Sequence, residues 1–217
     1  MDEKFSFVIG RAAALAIAIA TAVFAISLIW EMINLSEFAK NLGYIASSFL
    51  ALSVVIMMAC FYVISRGKTK IFGLLALVAS IIYAPLCIGT YFLQLSIVEL
   101  NPLELSSGVL EAITFKPGSP IFAVDMLGYF FLCLSTLAAG FALIEARDKI
   151  LRVLCFFHGA LAVPTIAAPI ISGLFLTTSG ETDFTGHYVL LFWSAVFVPI
   201  ALLFMRYFKE RQTPLVS

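Results

Sequence analysis

Ile71 to Leu95 reads IFGLLALVASIIYAPLCIGTYFLQL, 25 residues without a single Asp, Glu, Lys, Arg or His. A helix rises 1.5 Å per residue, so the run reaches about 37 Å, more than the ~30 Å hydrocarbon core of a bilayer. Barrel strands alternate over about ten residues, and this run does not alternate. In lipid its amides can be satisfied only within the segment, which makes it a helix. Five more runs of this kind flank it, at 12–30, 44–65, 121–144, 153–175 and 188–205, and Asp125 is the one acidic or basic side chain, histidine aside, in all six.

The whole chain agrees with that reading. It has 217 residues, 62% of them hydrophobic and 12% charged, and a mean hydropathy of +1.08. A soluble domain of this length leaves too much surface outside to hide that composition, whereas a bilayer supplies an apolar solvent. The expected fold is an all-α polytopic transmembrane bundle of six helices forming one integral membrane domain over 1–217. The run at 12–30 exceeds the 7–15 residues of a secretory h-region and is followed by Glu31-Met32-Ile33-Asn34, not by a small-residue cleavage site, so it reads as a retained first helix. Net charge is zero, which gives no ground for a nucleic-acid partner or a polybasic tail.

Lysine and arginine set the expected orientation. With the N-terminus in the cytoplasm, eleven of the 13 basic residues fall inside: Lys4, Arg11, Arg66, Lys68, Lys70, Arg147, Lys149, Arg152, Arg206, Lys209 and Arg211. Lys40 and Lys116 alone fall outside, while Glu31, Glu37, Glu99, Glu104, Glu111, Asp125, Glu181 and Asp183 put the acids there. Cytoplasmic excess of Lys and Arg in short loops predicts N-in, C-in. In size and composition the chain resembles the small polytopic proteins of prokaryotic inner membranes, and that cell membrane is the expected location.

The links Arg66–Lys70 and Glu145–Arg152 are short, which makes the spans they join antiparallel neighbours. The outer loop at 96–120 is long. Asn101-Pro102-Leu103-Glu104 carries an N-cap residue, a proline at the first helical position and a glutamate at the third. One or two short helices on the outer membrane surface are expected there, broken near Ser106-Ser107-Gly108. Pro85, Pro164, Pro169 and Pro199 each remove one helix hydrogen bond, and the pair in span 5 should bend it.

Small or polar residues at helical spacing mark buried faces in lipid, where apolar surface alone drives no association. Span 3 shows Ala76, Ser80, Tyr83, Cys87, Thr90 and Gln94; span 4 shows Asp125, Tyr129, Cys133, Thr136 and Gly140; span 5 shows His158, Ala162, Thr165, Pro169 and Ser172. Span 1 offers Ala14, Ala18, Ala22 and Ala25 as a close-packing seam. Cys60, Cys87, Cys133 and Cys155 lie in or beside apolar runs without CxxC spacing and read as free thiols.

Asp125 is the candidate centre. It stands about 5–8 Å below the outer end of span 4, where a carboxylate favours the bundle interior over lipid. Thr90, Tyr91 and Gln94 from span 3, Ser172 from span 5, His187, Tyr188 and Trp193 from span 6, and Glu31 from the end of span 1 share its depth, with Tyr129 one turn below. This set is expected to form an outward-opening polar pocket between spans 3, 4, 5 and 6. Trp30, Tyr188 and Trp193 also suit an interfacial aromatic belt. His158, near the inner end of span 5, reads as a packing histidine apart from that group.

No catalytic, metal or cofactor motif is legible. Two histidines at opposite depths cannot share one haem, HExxH is absent, and no Gly-rich phosphate loop follows a strand. The expectation is therefore no catalytic residue, no metal and no cofactor, with enzymatic activity left open but without support. The pocket suggests binding or movement of a small solute or lipid. The alternatives are an accessory protein that holds a membrane-protein partner or a second copy of itself, and a motif-poor lipid enzyme.

Overall fold

A computed structural model describes residues 3–102, 104–144, 148–175 and 184–212. Eight α-helices run α1 (Glu3–Asn34), α2 (Glu37–Ile64), α3 (Lys70–Leu93), α4 (Ser107–Ile113), α5 (Pro120–Ala142), α6 (Lys149–Ala160), α7 (Ala162–Phe175) and α8 (Thr185–Gln212), with no strand among the described residues. Among the described residues, six segments are long and apolar enough to cross a membrane: α1, α2, α3 with its extension, α5, the α6–α7 pair and α8. The helices extend past the apolar runs because polar ends can still close hydrogen bonds outside lipid.

Local signals set the boundaries. Ser36 caps α2, its Oγ accepting from the Ala39 amide at 3.3 Å. Ser119 does the same for α5 from Phe122 at 3.2 Å, with Pro120 pre-set at the first helical position. Gly67 takes φ +56° in the α2–α3 turn, a conformation that favours glycine. Pro164 cannot donate to the Ala160 carbonyl, and the fifth span breaks there. Leu161 donates instead to His158 O at 3.0 Å, and α7 starts afresh. Pro85 and Pro199 sit inside unbroken helices.

Neighbours in sequence are neighbours in space. α1 packs on α2, α2 on α3, α3 on α5, and α5 on α6 and α7; α6 meets α8, and α8 returns to α1, closing a ring. Paired polar side chains mark its two ends. Arg66–Glu3 at 2.7 Å and Arg211–Asp148 at 2.6 Å lie at one; His187–Glu31 at 3.4 Å and Lys40–Glu99 at 3.5 Å lie at the other.

The span 3 and span 4 stripes are buried throughout, from Ala76 to Gln94 and from Asp125 to Gly140. In span 5, His158 and Ala162 are buried but Thr165 and Pro169, beyond the break at Leu161, only half so. The α1 seam differs from expectation. Ala14 and Ala18 are buried, Ala22 is exposed, and the stripe continues through Thr21, Phe24 and Leu28. Two successive four-residue steps carry a face about 80° around a 3.6-residue helix, so Ala22 has left the side that Ala14 occupies. Glycines let the ring close tightly. A Cβ on Gly10 would stand 2.5 Å from the Phe208 ring, and one on Gly128 2.6 Å from Cys87 Sγ.

The loop at 96–120 also departs from expectation. Asn101 adopts φ +39° and its Oδ1 accepts from Leu105 N at 3.0 Å, so the cap is spent on a turn and no helix starts there. Leu103 lies outside the described residues. The helix in the loop is α4, which begins where the sequence suggested a break; Glu104 at φ +48° separates it from the turn.

Candidate functional site

The site grows from the α3–α5 contact at the α4 end of the ring. Asp125 is 1% exposed. Its Oδ2 accepts from the Tyr91 hydroxyl at 3.2 Å, and the Tyr91 and Tyr129 hydroxyls are 3.2 Å apart. Oδ1 has no hydrogen-bond partner among the described residues, and no cation there pairs with the carboxyl. Leaving a buried polar oxygen without a partner is costly, so it stands out as an acceptor available to a donor. The hydroxyl pair can serve either charge state. Tyr129 can donate to Tyr91 and Tyr91 to the carboxylate, or both can reverse so that a carboxylic acid donates along the chain.

Aromatic rings wall the carboxyl. Tyr44 stacks on Tyr91 at 5.4 Å, Tyr83 approaches Tyr129 at 6.1 Å, and Trp193 meets Tyr129 edge-on at 5.4 Å. Above them lies the segment after α4. Phe115 packs 6.3 Å from both Tyr44 and Tyr91 and 5.7 Å from Phe122. Gln94 holds it: Nε2 donates to Ile113 O at 2.8 Å and Oε1 accepts from Phe115 N at 2.9 Å. Gln94 opens a π-turn (Gln94–Val98) in which its carbonyl accepts from the Glu99 amide at 2.9 Å. In the same loop Lys116 grips Glu111 at 2.6 Å and holds that carboxyl below the usual carboxylate range.

Of the candidate residues, Asp125, Tyr91 and Tyr129 are brought into one hydrogen-bonded group and Gln94 lies directly above it. Thr90 is buried beside them, but its hydroxyl returns to Leu86 O at 2.9 Å. His187 and Glu31 pair with each other on the periphery, and Tyr188 is 63% exposed. The side chain of Ser172 lies outside the described residues.

Trp193 needs correction. It is neither a pocket wall open to the outside nor part of a belt; it is 6% exposed and donates from Nε1 to His158 Nε2 at 2.9 Å. His158 is accordingly not isolated, because its Nδ1 is 2.7 Å from Thr136 Oγ1. Long indole reach across the ring joins depths that residue counting along separate helices keeps apart. The expected open pocket does not expose Asp125, which is buried among the described residues. The cavity at that end, about 60 Å³, is lined by Lys40, Tyr44, Gln94, Glu99, Phe115 and their neighbours.

Tyr44 and Phe115 were not among the candidates. Tyr44 was detectable as a phenol at the Asp125 depth of span 2, and Phe115 as the aromatic before the Lys116-Pro117-Gly118-Ser119 turn. Neither carries a motif. These observations define the class as a helical, multi-pass membrane protein with a buried acidic–phenolic cluster near one end. No family model, curated protein or solved structure matches the chain.

Proposed function

We propose that this membrane protein binds or moves a small solute, or captures a lipid head group, through the Asp125–Tyr91–Tyr129 cluster, with both termini in the cytoplasm and the cluster near the outer surface. The observation that carries the reading is the buried Asp125 carboxyl with one oxygen unpartnered. An ionisable group inside a membrane bundle is expensive to keep and marks binding or transport by default. The matching ligand presents a hydrogen-bond donor, and a cationic ammonium fits best, because a carboxylate and the faces of Tyr44 and Tyr91 both attract positive charge. Glu31 and Glu99 at the same end favour arrival of cations over anions.

Ethanolamine, which joins an ammonium to a hydroxyl and is also a lipid head-group unit, is a suitable probe. Titrated against nanodisc-embedded protein, it should raise the thermal midpoint of the wild type and not that of Asp125→Asn, with both variants inserted and helical. Equal responses in the two proteins would remove Asp125 from the site.

A second reading, an accessory protein that holds another membrane protein, draws on an apolar groove of about 360 Å³ between α3 and α5, lined by Phe72, Leu75, Ile82, Phe131 and Phe141. A partner helix seated there would be lost on substituting Leu75 by Trp, while the ethanolamine response would persist.

A further inference from the structure

We propose that the segment from Ser107 to Ser119 is a gate over Asp125, latched by the Gln94 side chain and plugged by Phe115. The inference rests on the site reading above and concerns its regulation.

Gln94 is 3% exposed. Both ends of its amide are spent on one loop, at Ile113 O and Phe115 N. A side-chain amide used in this way copies a strand's backbone pairing, so it fixes the loop's height and register without a second strand. The rest of the loop has few anchors of this kind. Thr114 bonds back to Leu110 O and Lys116 to Glu111, both within the loop, and Ser119 caps the helix that follows. Gln94 is thus the polar clasp between the loop and α3.

Phe115 is what the clasp places. Its ring lies against Tyr44, Tyr91 and Phe122, and Tyr91 is the residue that hydrogen-bonds Asp125. Phe115 also lines the 60 Å³ cavity with Lys40, Tyr44, Gln94 and Glu99, and the Tyr91 ring on which it packs belongs to the residue bonded to the Asp125 carboxyl, whose Oδ1 is unpartnered among the described residues. Phe115 thus touches both the cavity and the residue that holds Asp125. The backbone of α3 supplies a place to give way, because it changes from α to π geometry at Gln94. Such single π-turns are rare and recur where helices serve function. In the proposed gate, release of these two hydrogen bonds and of the Phe115 ring opens the way from that cavity toward the carboxyl.

The test uses the full chain in nanodiscs, with Cys60, Cys133 and Cys155 replaced by Ala so that Cys87, 3.9 Å from the Asp125 carbonyl oxygen, is the sole thiol. Gln94→Met keeps the side-chain length and removes both bonds; Phe115→Ala removes the plug and leaves the clasp. Hydrogen exchange at 113–119 should accelerate about tenfold in Gln94→Met, the size expected for losing about one net hydrogen bond of local stability. Exchange in α1, α2 and α8 should stay unchanged. A membrane-impermeant cationic methanethiosulfonate should label Cys87 at least about tenfold faster in either variant than in the parent. Unchanged loop exchange, acceleration spread over the whole bundle, or labelling insensitive to both substitutions would overturn the gate. If the loop is released as expected but Asp125→Asn keeps the ethanolamine response, the gate stands and the site falls; the opposite pattern removes the gate alone.

Discussion

The indole N–H of Trp193 meets Nε2 of His158 at 2.9 Å, and this contact assigns every proton in its neighbourhood. Indole nitrogen only donates, so Nε2 must accept and Nδ1 must carry the hydrogen. Nδ1–H then donates to Thr136 Oγ1 at 2.7 Å, and the Thr136 hydroxyl passes its own hydrogen to Cys133 O at 2.9 Å. Donors therefore run one way, from α8 through α6 to the backbone of α5. An indole cannot relay a proton, so His158 acts as a bolt between three helices and does not extend the Asp125 cluster into a conducting path.

Trp193→Phe keeps most of the ring contact with Tyr129 and Phe197 but deletes the donor. It should lower stability by about 1 kcal/mol, within the range of membrane interhelical hydrogen bonds, and free the imidazole to exchange tautomers. His158→Ala strands both Trp193 and Thr136 and leaves a hole, with an expected cost of about 2–4 kcal/mol. Unfolding in mixed micelles measures the ratio, and imidazole nitrogen chemical shifts report the tautomer.

Tyr91 touches both Asp125 and Tyr129, whereas Tyr129 reaches the carboxyl only through Tyr91. Tyr91→Phe should therefore cost about 2 kcal/mol and Tyr129→Phe about half of that, since the first leaves two buried groups short and the second one. An equal cost for the two would mean that the hydroxyl chain is not connected as described.

Gly128→Ala should loosen the α3–α5 seam by about 1–3 kcal/mol, because the new methyl would stand 2.6 Å from Cys87 Sγ and 3.3 Å from Leu86 Cβ in a close-packed contact. Gly89→Ala is the control: nothing lies within 4 Å of its Cβ position, and its effect should be neutral or slightly favourable. Thermal midpoints of the two variants in the same detergent decide the comparison.

Orientation is open to a direct assay. The four native cysteines are buried, so single additions report cleanly. Lys68→Cys, in the α2–α3 turn, should react with an impermeant maleimide only after the cells are permeabilised, and Val109→Cys in α4 should react on intact cells. Labelling of both from one side would contradict the N-in arrangement and reverse the expected side of the Asp125 cluster.

Much of the bundle was legible in residue order alone. Helices in lipid satisfy their amides internally, so run length reveals each span, and short links such as Arg66–Lys70 make neighbours of the spans they join. The polar stripes of spans 3 and 4 were readable for the same reason, since polar side chains avoid lipid and periodicity is a local property. Asp125, Tyr91 and Tyr129 could be grouped because residue counts from the helix ends place them at one depth.

What lay beyond that reading depends on contacts between segments far apart in the chain. Which way the Gln94 amide faces, that Phe115 packs on Tyr44 and Tyr91, and that Trp193 reaches His158 in place of Asp125 are decided by how the ring closes, by the break at Leu161 and by the turn spent at Asn101. Hydropathy and spacing describe one helix at a time, and carry no term for the side chains of another. The six-span membrane architecture thus belongs to composition and local hydrogen bonding, whereas the burial of the acidic cluster and the Gln94 contact with the loop belong to packing.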